Sequence, residues 1–149
     1  MKIRLEPVTV ASRAAVERLE TAPGQEGFVE SVAECLAEAD RRRCWRPVGV
    51  YDGDALIGFA MYGFFWEYLP FGRLWLDRLL IDKKYQGKGY GKRVVLALLD
   101  RLRTEYSCDT IYLSVYETNS HAIHLYQQIG FHFNGEYDTN GEHVMVYAF

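Results

Sequence analysis

The segment RLWLDRLLIDKKYQGKGYGKRVVLALLDRLRT, residues 73–104, decides the fold of this protein. Its first part, 73–81, is a mostly apolar run that predicts a buried strand. From Gly89 to Thr104 apolar residues recur at helical spacing, which predicts an amphipathic helix. A glycine-rich turn joins the two. A buried strand that runs through such a turn into a helix predicts a sheet with helices packed on it.

The turn, residues 86–92, has the composition of an anion-binding site. Glycines let its backbone expose successive N–H groups, the following helix adds its positive end, and Lys88 and Lys92 add full charges. A P-loop is excluded because Lys92 stands where its second glycine is required, and no G-x-G-x-x-G is present. The remaining pattern is Q-x-x-G-x-G. A surface turn rich in lysine and glycine is the alternative interpretation.

Outward from this segment, the chain predicts strands and helices in the order β-α-α-β-β-β-α-β-α-β-β. We expect one α/β domain over residues 1–149, with a mixed, mostly antiparallel sheet of six to seven strands and about four helices. Asn140-Gly141 predicts a type I′ hairpin between the last two strands.

Composition excludes several classes of protein. The chain is 15% aromatic, which argues against disorder, and its net charge of −3 argues against nucleic-acid binding. No membrane-spanning run occurs. Three cysteines without CxxC spacing predict free thiols and a cytoplasmic protein, and four scattered histidines suggest no metal. The charge is polarised: residues 6–40 carry a net −6 and residues 82–103 a net +5. Such polarity would suit an anionic ligand in one region and a cationic ligand in the other; two solvated helix faces are the alternative explanation.

A second motif lies downstream, E-x-N-x-x-A-x-x-L-Y-x-x-x-G-F at residues 117–131. Together with Q-x-x-G-x-G, it resembles the GCN5-related N-acetyltransferases over about residues 46–149. Within that family, GFAMYG (58–63), YQGKGYGK (85–92) and IYLSVYETN (111–119) are similar to the bacterial spermine/spermidine acetyltransferases. The resemblance implies acetyl-CoA as co-substrate and a small-molecule amine, of the polyamine class, as acceptor.

The resemblance also implies a set of cofactor-binding residues. The strand offers backbone groups to the pantetheine arm, the turn holds the pyrophosphate, and the later helix lies beside the thioester. The implied residues are Leu79, Leu80, Ile81, Gln86, Gly87, Lys88, Gly89, Tyr90, Gly91, Lys92, Asn119 and Tyr126. For Asn119 a helix N-cap is the alternative role.

Two residues are the candidate catalytic groups. The resemblance implies that Tyr126 protonates the leaving sulfur; a packed core aromatic is the alternative. Asp77 interrupts an apolar strand and is the candidate base or amine anchor. Strand alternation predicts that Trp75, Asp77 and Leu79 share one face and that Arg78 points to the other. A structural salt bridge, or deprotonation through water, would also account for Asp77.

The acceptor site is predicted from acids and aromatic residues. Aromatic faces suit the cations and methylenes of a polyamine. The candidate substrate-binding residues are Glu30, Glu34, Glu67, Trp75 and Asp77. Eight aromatic residues lie between Phe59 and Trp75, and core packing with a homodimer interface is their alternative explanation. Another acceptor amine, or a non-enzymatic acetyl-CoA sensor, remains an alternative function.

Overall fold

The computed structural model describes residues 2–21 and 31–149. These residues form seven strands, four α-helices and one 3₁₀ turn, which confirms the predicted α/β fold and element order. The strands are β1 Ile3–Pro7, β2 Trp45–Asp52, β3 Ala55–Phe65, β4 Arg73–Ile81, β5 Thr110–Val115, β6 His132–Tyr137 and β7 His143–Ala148. The helices are α1 Arg13–Glu17, α2 Val32–Arg41, α3 Tyr90–Glu105 and α4 Ser120–Ile129, and the 3₁₀ turn is Lys83–Tyr85.

The strands form one sheet in the order β1-β2-β3-β4-β5-β7-β6. The β4–β5 pair is parallel, and its pairing is limited to Leu74 with Ile111 and Trp75 with Tyr112. Beyond these residues β4 continues to Ile81 and β5 to Val115 without pairing to each other. The two strands therefore open a cleft at their carboxyl ends, and α3 is the crossover that joins them.

Two apolar clusters lie on the two faces of the sheet. On one face, α3 buries Val94, Leu98 and Leu102 against the strands, and α4 packs at the edge of this cluster. On the other face, α2 buries Val32 and Leu36. Each such side chain contributes about 1.5–3 kcal/mol when it leaves water completely. The helix faces that the apolar spacing predicts are therefore the faces that hold α2 and α3 on the sheet.

A β-bulge in β4 changes the predicted direction of its side chains. Met61 pairs with Arg78 and Tyr62 with Leu76, so Asp77 is the extra residue. Leu79 packs in the α3-side cluster, whereas Trp75 packs in the α2-side cluster. Trp75 and Asp77 do line the same cavity, as predicted, but Leu79 lies on the other face and Arg78 lines that cavity as well, so the prediction is wrong for these two residues. An extra residue interrupts the strict alternation on which the prediction depended.

The predicted type I′ turn is also wrong. Such a turn needs positive φ at Asn140 and Gly141, but only Gly141 has it, at 79°. Instead, the Asp138 carboxylate accepts hydrogen bonds from the backbone of Asn140 at 2.9 Å and Glu142 at 2.8 Å. The Gly141 N–H donates to the Asp138 carbonyl oxygen at 3.1 Å. The carboxylate of Asp138 thus organises the β6–β7 turn.

In the described part of the chain, no helix is long and apolar enough to cross a membrane.

Candidate active site

A cavity of about 380 Å³ occupies the cleft at the end of β4, and we name it the turn cavity. It lies between β4, the glycine-rich turn and the start of α4. Ten of the predicted cofactor-binding residues line it: Leu79, Leu80, Ile81, Gln86, Gly87, Gly89, Tyr90, Gly91, Lys92 and Asn119. Lys88 and Tyr126 are not among the lining residues. Six further ones were missed by sequence reasoning: Thr21, Tyr85, His121, Ala122, Leu125 and Gln128.

The glycine-rich turn has the backbone geometry that anion binding requires. Gly87 and Gly89 have φ values of 75° and 80°, in the left-handed region that favours glycine. Gly89 is the N-cap of α3, so the N–H groups of the first α3 turn have no partner within the helix. Lys92 lines the same cavity and adds a cation. This end of the turn cavity fits a pyrophosphate.

Gly91 lets α3 and α4 approach closely beside this cavity. A Cβ atom at Gly91 would lie 3.2 Å from Leu125 Cδ2, and Leu125 lines the cavity. A side chain at this position would have to displace Leu125. The glycine therefore determines the shape of the cavity at this point.

Asp82 holds the segments around the turn cavity together. Its side chain is buried, and it accepts hydrogen bonds from the backbone N–H of Glu20 at 3.2 Å and of Lys84 at 3.0 Å. The Gln86 amide donates to the Ile81 carbonyl oxygen at 2.9 Å. Sequence reasoning missed Asp82, although an acid directly before a short helical turn is a capping signal.

Two of the predicted cofactor ligands also have structural partners. The Tyr90 hydroxyl donates to Asp52 at 2.5 Å, which lowers the pKa of Asp52 and raises that of Tyr90. The Asn119 side chain accepts a hydrogen bond from the Ala122 N–H at 3.4 Å, which confirms the N-cap interpretation. The contact of Asn119 with the cofactor remains a prediction.

Tyr126 lies on α4, directly after the cavity-lining Leu125. Its ring is half-buried and meets Phe131 edge-on, with a centroid distance of 5.5 Å. Burial raises the pKa of its phenol to about 12. Tyr126 therefore keeps its proton at neutral pH, as a general acid must, and it also packs against the core as the alternative interpretation predicts.

A second cavity, of about 300 Å³, lies on the α2 side of the sheet, and we name it the acidic cavity. Five carboxylates line it against two guanidinium groups. The acids are Glu38, Glu67, Asp77, Asp138 and Glu142, and the bases are Arg42 and Arg78. Consecutive residues of β4 line the two cavities: Asp77 and Arg78 line the acidic cavity, and Leu79 to Ile81 line the turn cavity.

Only some of the predicted substrate-binding residues line the acidic cavity. Trp75, Asp77 and Glu67 line it. Glu34 does not; it is exposed and accepts hydrogen bonds from Ser31 in a capping box. Glu30 lies outside the described residues. Sequence reasoning missed the other three acids, because only the folded sheet brings α2 and the β6–β7 turn to the same side of β4.

Ion pairs neutralise part of the acidic cavity. Arg78 Nη1 lies 3.1 Å from Asp77 Oδ2. The structural salt bridge that was the alternative role for Asp77 is therefore present, and its partner is Arg78. Both of these side chains are largely buried. At the rim, Arg42 lies 2.9 Å from Glu67, and both side chains are exposed. Exposed pairs of this kind contribute little stability.

The aromatic run from Phe59 to Trp75 serves different purposes. Phe59, Tyr62 and Phe65 are core residues, which confirms the packing alternative for them. Phe65, Tyr68 and Trp75 also line the acidic cavity. Trp66 and Phe71 are 76% and 82% exposed. The predicted homodimer remains a prediction.

Comparison with known proteins identifies the class to which this fold and its turn cavity belong, the acetyltransferases. The chain belongs to the acetyltransferase (GNAT) family, whose model matches residues 13–131. It is 49% identical, over 98% of each chain, to the spermine/spermidine N(1)-acetyltransferase of Bacillus subtilis strain 168. It is 50% identical, over 98% of each chain, to a probable spermine N(1)-acetyltransferase of B. subtilis subsp. natto.

Solved structures show the same fold at low identity. The spermidine N-acetyltransferase of Vibrio cholerae, in complex with CoA and spermine, superposes with a TM-score of 0.74 at 20% identity, covering 98% of this chain and 95% of that chain. An aminoglycoside acetyltransferase in complex with coenzyme A has a TM-score of 0.83 at 20% identity, covering 99% and 95%.

Proposed function

We propose that this protein transfers the acetyl group of acetyl-CoA to a primary amine of a polyamine, such as spermidine or spermine. The observation that carries this proposal is that consecutive residues of β4 line an acidic cavity and a cavity suited to an anion. The Bacillus relatives named for spermine and spermidine support the same acceptor class.

The turn cavity is the proposed site for acetyl-CoA. Gly87, Gly89 and the first turn of α3 present N–H groups to the pyrophosphate, and Lys92 adds a charge. Leu79, Leu80 and Ile81 line the cavity along the unpaired end of β4, where backbone groups are available to an extended pantetheine arm. When bound, acetyl-CoA supplies the thioester carbonyl that the amine attacks.

The acidic cavity is the proposed site for the polyamine. Its surplus of carboxylates attracts several ammonium groups. Tyr68 and Trp75 provide aromatic faces for methylenes and cations. Part of the polarised charge of the sequence thus has a role in this proposal: Lys92, from the basic stretch, lines the turn cavity, and Glu38, from the acidic stretch, lines the acidic cavity.

The chemistry requires two proton transfers. A primary ammonium has a pKa near ~10.4 and must lose a proton before its nitrogen attacks; Asp77, or a water molecule that it orients, is the proposed acceptor. The new C–N bond forms, the C–S bond breaks, and Tyr126 donates its phenolic proton to the leaving thiolate. Its pKa of about 12 keeps this proton in place until then.

Thiol release from acetyl-CoA, measured with a panel of amines, tests the proposal. We expect saturable turnover with spermidine and spermine. Turnover confined to an aminoglycoside, an amino acid or a protein amine would assign a different acceptor. Tight acetyl-CoA binding with no turnover of any amine would indicate a sensor.

Cytoplasmic localisation, which the free cysteines favour, and a single domain over residues 1–149 remain predictions.

A further inference from the structure

We propose that Glu142 is a specificity residue, which binds a second ammonium group of the polyamine while the first is acetylated. This inference rests on the proposed function and adds a residue to it. Glu142 is not part of either sequence motif. It enters the acidic cavity from the β6–β7 turn, a different element from the one that carries Asp77.

The position of Glu142 is determined by its backbone. Its N–H donates to the Asp138 carboxylate at 2.8 Å, and its carbonyl oxygen accepts from the Asp138 N–H at 2.9 Å. These paired hydrogen bonds hold the residue at the end of the turn. Its side chain, only 9% exposed, lines the acidic cavity.

Within the described residues, the buried Glu142 carboxylate has no close cation. It accepts a hydrogen bond from Ser114 Oγ, at 3.0 Å to its Oε2, and one from the Tyr116 hydroxyl. Within residues 2–21 and 31–149, no ion pair shorter than 4 Å includes Glu142. Arg78 attracts it from farther away but pairs with Asp77. A buried carboxylate is costly unless a cation compensates its charge. A ligand ammonium inside the cavity would supply that cation.

Two separate carboxylates allow the cavity to distinguish amines by their number of ammonium groups. Asp77 lines the acidic cavity from β4, and Glu142 lines the same cavity from the β6–β7 turn. A polyamine can satisfy both acids, whereas a monoamine satisfies only one. Glu67 is less suited to this role because it is exposed and already paired with Arg42.

The experiment compares Glu142→Gln with wild type on spermine, spermidine and hexylamine, with kcat and KM measured separately. Glutamine keeps the size and the acceptor for Ser114 but removes the charge. A charged hydrogen bond of this kind corresponds to about 10- to 100-fold in binding. We expect the KM for spermine to rise by that factor with kcat nearly unchanged, and kcat/KM for hexylamine to change less than about threefold.

Two further variants make the result specific. Glu136→Gln removes a charge from the same hairpin but outside the acidic cavity, and we expect wild-type KM values for it. Glu142→Asp keeps the charge, so a folded Glu142→Asp protein should still prefer spermine to hexylamine even if the glutamine variant unfolds.

Equal losses with spermine and hexylamine, or no loss, would overturn the role of Glu142 while leaving the proposed function intact. A wild-type protein that acetylates no polyamine would overturn the proposed function itself, and the wild-type measurement shows this before any variant is compared.

Discussion

Arg78 Nη1 and Asp77 Oδ2 lie 3.1 Å apart although the two residues are consecutive in β4. In a regular strand, consecutive side chains point to opposite faces of the sheet. The bulge opposite Met61 and Tyr62 allows both side chains to enter the acidic cavity. The candidate base therefore has a cationic neighbour in the protein itself, before any substrate binds.

Replacement of Asp77 by Asn should lower kcat/KM for spermine by about 10²-fold or more, because the proposed acceptor of the ammonium proton is lost. Steady-state kinetics distinguish its roles: a lower kcat identifies a base, and a higher KM alone identifies an anchor. Asp54→Asn removes an exposed charge in the β2–β3 turn and should leave both constants unchanged. Unchanged kinetics for Asp77→Asn would exclude both roles.

Replacement of Tyr126 by Phe should lower kcat by about 10²-fold, because the leaving thiolate loses its proton donor. The KM for acetyl-CoA should change little, since phenylalanine keeps the aromatic ring and its packing against Phe131. Because burial raises the pKa of Tyr126 to about 12, the wild-type kcat should show no decline from Tyr126 ionisation between pH 7 and 10. A tyrosine-dependent decline below pH 10, or full kcat in the variant, contradicts the acid role.

Replacement of Gly91 by Ala should raise the KM for acetyl-CoA by about tenfold, because the new Cβ meets Leu125 at 3.2 Å and narrows the turn cavity. The helix itself should tolerate alanine, which has a higher helix propensity by about 1 kcal/mol. Kinetics and thermal unfolding measure the two effects. The control is Leu96→Ala, at an exposed α3 position outside the cavity. If the KM for acetyl-CoA is unchanged in Gly91→Ala, the close approach does not shape the binding site.

Replacement of Glu142 by Gln should increase the stability of the free protein at neutral pH. Burial, and then the nearby Asp138 charge, raise the pKa of Glu142. Ionisation is thus less favourable in the folded state, and the acid destabilises the fold increasingly as pH rises through its native pKa. Unfolding midpoints of wild type and variant should agree at low pH and diverge towards neutral pH. Unfolding midpoints that converge as the pH rises would contradict this prediction.

Much of the fold was predictable because its signals are local. Period-2 and period-3.6 apolar patterns place the strands and the helices, and the capping position of Asn119 is visible in the chain. The turn cavity was predictable for the same reason. Most of its lining comes from one continuous stretch, Leu79 to Lys92, and from the start of the next motif.

The acidic cavity was not predictable to the same extent, because its walls come from separated elements. Glu34 and Glu38 belong to the same helix, and the sequence does not show which of them faces β4. The structure places Glu38 in the cavity and Glu34 in a cap. Glu142 is one acid among many in the sequence, and its burial depends on the pairing of β6 with β7.

The sequence by itself determined the α/β class, the order of elements and the glycine-rich turn between β4 and α3, since each follows from residues close together in the chain. Tertiary structure alone decided which acids share a cavity and where Arg78 points. One extra residue in β4 reverses the side-chain alternation, and sheet pairing brings a helix, a strand and a distant turn together. Those relationships depend on register and packing between elements, which local patterns do not specify.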